Sequence, residues 1–485
     1  MIRVLKHLLL AVAGIGLAAG GAVAFESFGG PTGVLRWEQG STFDGYTLVA
    51  PYYSTSTYLV DMEGNVVHTW KHTDPPGLHA VLLPDGTLLR PMRLGSKAKA
   101  RVGGPSGGFQ IIDWNGKVLR EFILNEPDRI TTHGVTPLPN GNILCIGREF
   151  KTMAEAIEKG RDPMSLPKQG VFGLDVGSVQ GFWSPFVIEV APDNSIVWEF
   201  HKWDNVGPGP RQFDINYITP EVTPLGAALN WSYFNGVDYD PKTDRLIITD
   251  RQFSEVYMID RKTKQLVWRY GNPSTWGAGK RPGFANDGDQ KLFGPHHPTF
   301  LPNGNIQVHD NGWMRPTGNY SRVVEIDPLT DREVWEFKAE RPLNYASAYQ
   351  SGAQRLPNGN TLVTSATAGH IFEVTGGPVP RVVWEFVAPW MKDDGASPYL
   401  SDHQANSWNF WVADGHMANA VHRAARYGKD YPGLKGKKLD PVYFAPGMPK
   451  PFTVEPWKSM AEEYSTIMKA RAAKADARKT QVRQW

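Results

Sequence analysis

At 485 residues the chain is longer than one compact core usually grows, so a single-domain body requires an architecture that extends by repetition. Its 50 Gly, 38 Pro and 17 Trp suit many short strands joined by tight turns and argue against a helical bundle. A net charge of +2 excludes the overall polycation expected of a nucleic-acid-binding protein.

The chain opens with Arg3, Lys6 and His7 ahead of an apolar run from Leu8 to Phe25, in which Ala22-Val23-Ala24 forms a small-x-small cleavage site. Residues 1–25 are expected to be a signal peptide, or an inner-membrane anchor if retained, because the run approaches the length of a membrane span. Either outcome places the protein in the periplasm or outside the cell. The one cysteine, Cys145, sits in the apolar run Asn142–Gly147 and reads as a buried, inert thiol with no disulfide partner.

Two motifs then alternate along the chain. One is a strand, a turn rich in Gly, Asp, Asn or Pro, and a strand ending in an aromatic. Its six copies are Tyr58–Trp70, Gln110–Phe122, Val187–Phe200, Val256–Tyr270, Val323–Phe337 and Ile371–Phe386. The other precedes it and is an apolar strand broken by a turn. Its five copies are Val81–Leu89, Val135–Leu144, Val237–Ile248, Thr299–Val308 and Ala353–Val363, with 45–53 as a degenerate sixth. One copy of each makes a four-stranded blade. The expected fold is all-β, a six-bladed propeller over residues 40–390, whose closed ring leaves no long sheet edge exposed. Residues 149–182, 200–232 and 271–295 are long insertions expected in surface loops. Residues 391–485 are expected to be a C-terminal flank, with a short helix and turn across Ala418–Leu434 and a basic helix from Ser459 to Arg483. Asn286–Asp289 lacks the spacing of a calcium loop and reads as a turn.

In such blades the start of the innermost strand and the connection between the second and third strands meet at one mouth of the central channel. The first kind of position holds His79, His133, Asn235, His296-His297 and Ser351-Gly352; the second holds Arg93, Arg148, Arg251, Arg315, Arg322 and His370. Five of the thirteen histidines fall in these few slots, which marks the mouth as the expected site. The remaining histidines, His422 among them, read as structural. Guanidinium forks bind the oxygens of sulfate, phosphate or carboxylate, and a neutral imidazole acts as nucleophile or general base. Together they suit transfer of a tetrahedral oxyanion group. The alternative is a divalent transition metal held by His133, His296, His297 and His370 in a lyase, hydratase or oxygenase. A third reading is a non-catalytic binding subunit of a membrane complex that uses the 149–232 loops.

The passages 235–260, 295–312, 320–327 and 354–374, in that order, resemble the bacterial aryl-sulfate sulfotransferase family. The resemblance implies an exported six-bladed propeller that moves a sulfuryl group from a phenolic sulfate to a phenol through a transiently sulfated histidine. It implies no nucleotide donor and no metal or other cofactor. Carried onto this sequence, it makes His370 the expected nucleophile and His296 the acid or base, with Arg315 and Arg251 neutralising the sulfate. His133, Tyr233, Asn235, His297 and Arg322 complete the expected substrate-binding set. The chain departs from the family at Tyr233, where a histidine stands two residues before the retained Asn235, and in lacking the cysteines of a family disulfide.

Overall fold

The computed structural model describes residues 32–442 apart from 53, 101–103, 105, 166–180, 218–230, 284, 342–343 and 391–418. The expected signal or anchor, 1–25, and the expected basic helix at 459–483 lie outside the described residues. No helix among the described residues is long and apolar enough to cross a membrane.

Apolar alternation around Gly, Asp and Asn turns makes each repeat a hairpin, and the hairpins pair into six antiparallel sheets, the blades of a propeller. In chain order the strands are β1 (Gly33–Trp37), β2 (Gly45–Val49), β3 (Ser56–Val60), β4 (Val66–Lys71), β5 (Val81–Leu82), β6 (Leu88–Arg93), β7 (Gly107–Ile112) and β8 (Val118–Ile123). There follow β9 (Arg129–Pro137), β10 (Ile143–Thr152), β11 (Gly181–Val190), β12 (Ile196–His201), β13 (Phe234–Asp240), β14 (Arg245–Asp250), β15 (Glu255–Asp260) and β16 (Gln265–Tyr270). The last are β17 (His296–Phe300), β18 (Ile306–Asp310), β19 (Arg322–Asp327), β20 (Arg332–Lys338), β21 (Gly352–Arg355), β22 (Thr361–Ser365), β23 (His370–Val374), β24 (Val382–Val387) and β25 (Ala425–Gly428). The blades read β25-β2-β3-β4, β5-β6-β7-β8, β9-β10-β11-β12, β13-β14-β15-β16, β17-β18-β19-β20 and β21-β22-β23-β24-β1.

The first-blade expectation needs correcting. Residues 45–53 supply only its second strand; its innermost strand is β25, from the segment expected to be helix and flank. The start of the chain in turn adds β1 to the outer edge of the last blade. The ring therefore extends beyond 40–390 at both ends and is closed twice, each closure pairing segments far apart in sequence. Arg426 of β25 seals the inner closure: its guanidinium pairs with Glu373 of β23, both side chains fully buried, and its face lies 4.2 Å from the Trp384 ring centre. The 149–182 insertion is also partly strand, because β10 and β11 stay paired out to Thr152 and Gly181 before a short helix, α1 (Met153–Glu158), begins under a Thr152–Glu155 capping box.

The Leu-Pro-Asn-Gly-Asn turns fasten neighbouring blades. Asn142, Asn305 and Asn360 each donate a side-chain amide to a glutamate on the third strand of their own blade, at 2.5 Å (Glu189), 2.7 Å (Glu325) and 2.6 Å (Glu373). Each glutamate also accepts from an arginine of the following blade: Arg261, Arg355 and Arg426 respectively. A buried carboxylate requires such double satisfaction, which gives the turn asparagine and the strand glutamate one shared purpose. Apolar clusters fill the spaces between blades, as with Leu144, Ile146, Val187, Val237, Leu246 and Tyr257. Cys145 is buried in such a cluster, and burial pushes its thiol pKa up.

Candidate active site at the channel mouth

Each innermost strand carries one such residue within it or just ahead of it, and these six make up a first tier: His296 opens β17, His133 and Asn235 lie within β9 and β13, Ser351 directly precedes β21, and His79 and His422, with rings 5.9 Å apart, stand shortly ahead of β5 and β25. Bulges aim several of them. The register slips opposite Cys145/Ile146, between Phe234 and Gly236, and between His296 and Thr299. His133, His297 and Ser351 take positive φ of 54°, 48° and 79°. Bulges and strained backbone of this kind turn side chains away from the sheet plane. The residues that follow them pack closely in places: a Cβ on Gly134 would meet His79 and Arg423, and one on Gly236 or Gly352 would meet His297.

The first-tier residues differ in how much bonding capacity they retain. Asn235 is engaged at both ends: its amide donates to the Pro295 carbonyl at 2.8 Å and its oxygen accepts from Thr249 at 2.6 Å. His296 donates through Nδ1 to Asn311 Oδ1 at 2.7 Å, so its Nε2 accepts the Gln350 N–H at 3.2 Å. His297 accepts the Ala353 N–H through Nδ1 at 3.1 Å. His133 and His422, by contrast, make no side-chain hydrogen bond, and Nδ1 of each is buried without a partner among the described residues. Burial first, and then the arginines nearby, push the pKa values of His79, His133, His297 and His422 well down, and that of His296 to about 3. All five are neutral near pH 7.

Arginines and tyrosines surround these imidazoles. The Arg148 guanidinium lies 3.4 Å from the centre of the Tyr233 ring, whose face the His133 ring meets edge-on at 4.8 Å. Arg93 covers Tyr52 at 3.8 Å, and Arg251 faces Tyr349 at 5.2 Å. Behind them a buried carboxylate holds the backbone in place. Asp250 accepts the N–H groups of Tyr233, Gln252 and Phe253 at 3.0–3.2 Å, together with Lys202 Nζ at 2.6 Å. Asp310 repeats this in the next blade, accepting the N–H of Phe293 at 2.8 Å and pairing with Arg315 and Arg322.

Three expected site residues are not part of the cluster. His370 and Arg322 open the third strands β23 and β19, in register with Ser365 and Asp310, and point outward along the blade. His370 bonds Glu385 at 2.8 Å; Arg322 bonds Asp310, Glu333, Glu336 and the Lys291 carbonyl. Glu255, at the same position in the fourth blade, pairs with Arg269, so this position is an ion-pairing station. Arg315 is turned to Asp310 at 2.8 Å and packs on Phe293 and Tyr320, where it braces the loop. The four-histidine metal set is likewise not assembled: His370 is elsewhere, bonded to Glu385, and Nε2 of His296 already accepts the Gln350 N–H. Among the described residues no three His, Cys, Asp or Glu side chains converge to hold a metal ion.

Residues 178–383 match the sequence model of the family described as Arylsulfotransferase (ASST). The chain is arylsulfotransferase-like. Arylsulfate sulfotransferase AssT of Escherichia coli is 28% identical over 188 residues, covering 31% of each chain. The protein of the same name from Lelliottia amnigena is 26% identical over 181 residues, covering 31% of this chain and 30% of its own. The chain thus spans under a third of the length of the curated relatives it matches. A crystal structure of a protein of unknown function from Bacteroides caccae aligns with TM-score 0.42 at 13% identity, over 71% of this chain and 93% of that one.

The arylsulfotransferase-like span contains Tyr233, Asn235, Arg251, His296, His297, Arg315, Arg322 and His370. His79 and His133, of the second and third blades, and His422 and Arg423, brought in ahead of the closing strand β25, lie outside it. Sequence reasoning assigned His422 a structural place and passed over Arg423. The available signal was the first blade, which has no innermost strand of its own ahead of 45–53. Because His370 lies outside the cluster, His370→Gln is expected to change turnover by no more than about twofold. Steady-state rates of the variant against the parent check this.

Proposed function

We propose that this protein transfers a sulfuryl group from an aryl sulfate to a phenol, with His133 in place of His370 as the attacking imidazole. The observation that carries the proposal is the pair of neutral imidazoles without hydrogen bonds, His133 and His422, in a mouth lined by arginines. A nucleophilic imidazole needs an uncommitted lone pair, and low basicity keeps it unprotonated near pH 7. The arylsulfotransferase likeness supports sulfuryl transfer as the reaction class.

A His133 nitrogen attacks sulfur, the bond from sulfur to the aryl oxygen breaks, and the phenolate leaves with the electron pair. His422 then takes the proton of the acceptor phenol, whose oxygen attacks the sulfur and returns the nitrogen–sulfur electron pair to His133. That proton neutralises the departed phenolate. Arg148 and Arg251 stabilise the sulfuryl oxygens, for which preorganised cationic donors are effective. Tyr233, held under Arg148, presents an aromatic face and a hydroxyl to the ring of the substrate. The pattern of residues 1–25 supports action outside the cytoplasm.

The test is nitrophenol release from nitrophenyl sulfate by chelator-treated protein, with and without added phenol. Release that requires phenol and survives chelation is expected. No release by folded protein, or release abolished by chelation, contradicts the proposal.

A further inference from the structure

His201 stands apart from the neutral imidazoles of the mouth. It closes β12, and its ring joins carboxylates from two strands: Nδ1 meets Glu149 of β10 at 3.0 Å, and Nε2 meets Glu199 of β12 at 2.9 Å. A carboxylate only accepts and a neutral imidazole carries one N–H, so the imidazolium alone satisfies both contacts. Burial pushes the ring pKa down, but the hydrogen bonds and charges of Glu149 and Glu199 outweigh burial and hold it above the usual imidazole value. The side chain is 20% exposed and lines a surface cleft with Glu199, Asp204, Asn205 and Lys264, so solvent protons reach it.

Both ends of this bridge adjoin residues of the mouth. Arg148, over the Tyr233 ring, immediately precedes Glu149, and Lys202, the cation of Asp250, immediately follows His201. The other charges around the ring have their own places. Lys151 of β10 holds Glu149 at 3.0 Å and faces the Trp203 ring at 5.4 Å; Arg129 of β9 pairs with Glu199. From β11 the ring receives only Phe186, stacked with centres 5.4 Å apart, and Asp204 and Lys264 share the cleft. Without its second proton the ring would turn a lone pair on one of the two carboxylates, and the bridge would open.

We infer that His201 is a positioning residue: as an imidazolium it ties the end of β10 to the end of β12 across β11, and the tie holds Arg148 and Lys202 in place at the mouth. The bridge is fully formed below the ordinary imidazole value of 6.5 and is lost as the pH rises through the raised value of the folded ring. Each unit of that rise is about a tenfold bias toward the closed bridge. The consequence for catalysis rests on the sulfuryl-transfer reading; the bridge itself needs no turnover.

The test follows the His201 ring of the full chain by isotope-edited NMR, its signal assigned by absence from His201→Gln. Unfolding midpoints and nitrophenyl sulfate turnover of parent and variant are measured in parallel from acid to alkaline pH. A ring titrating above 6.5 is expected. His201→Gln should unfold earlier and turn over about 3- to 10-fold more slowly than the parent while the ring is protonated, and both gaps should close above that pH. Lys202, with its pKa at about 8, titrates in both proteins, so the difference between them is the signal. His201→Arg keeps a permanent charge between the carboxylates and should lose this pH dependence; it serves if His201→Gln does not fold. A ring titrating at or below 6.5, or a turnover gap that does not change with pH, overturns the inference even in an active enzyme. A pH-dependent gap in unfolding midpoint with no turnover in either protein upholds the bridge and removes the sulfuryl-transfer reading.

Discussion

His133→Asn is expected to lower turnover of an aryl sulfate by about 10⁴- to 10⁶-fold, the upper figure being the scale seen when a nucleophile is removed from an otherwise intact site. Asparagine is the apt replacement because His133 sits at φ 54°, a left-handed conformation that asparagine tolerates better than most residues. The variant should therefore keep the bulge and the fold. His422→Asn should cost less, about 10²- to 10⁴-fold, since a displaced proton carrier leaves the attacking group in place. A His133 variant that retains a tenth or more of the parental rate removes this residue from the nucleophilic role.

The second large effect concerns stability. Lys202 is fully buried; its ammonium pairs with Asp250 at 2.6 Å, donates to Ser232 at 2.9 Å and lies 3.3 Å from the Phe253 ring centre. Burial holds its pKa down at about 8 even against the carboxylate. Lys202→Met leaves Asp250 charged and without its cation, and breaking one side of a buried pair costs about 3–5 kcal/mol. Denaturant unfolding should show that loss. Because Asp250 also holds the Tyr233 backbone and the turn carrying Arg251, turnover of the folded fraction should fall as well. A loss below about 1 kcal/mol would mean that the pair does not brace the mouth as described.

The blades were legible in the sequence because period-two alternation and turn residues are local signals, repeated often enough to be unmistakable. The closure was not. β25 is four residues long, Ala-Arg-Tyr-Gly, and its partner β2 lies far back in the chain, so no local pattern announces it. Misreading that segment as helix hid His422 and Arg423. Which residues accompany the innermost strands was legible, since His133, Asn235 and His296 lie on them and His79 just ahead of one. His370 and Arg322 are turned elsewhere. Each is already the first residue of its third strand, and strand register turns it toward the outer strand, where Glu385, Glu333 and Glu336 receive it. Asn235 shows the same limit in another form: its position was legible, but the two hydrogen bonds that occupy it were not.

Incubating the protein with nitrophenyl sulfate in the absence of acceptor, quenching at alkaline pH and mapping peptides by mass tests the central claim most directly. A sulfuryl group on the peptide carrying His133, discharged when phenol is added before the quench, is the predicted result. A sulfuryl group on the peptide carrying His370, or phenol-dependent turnover with no modified peptide at all, would contradict it.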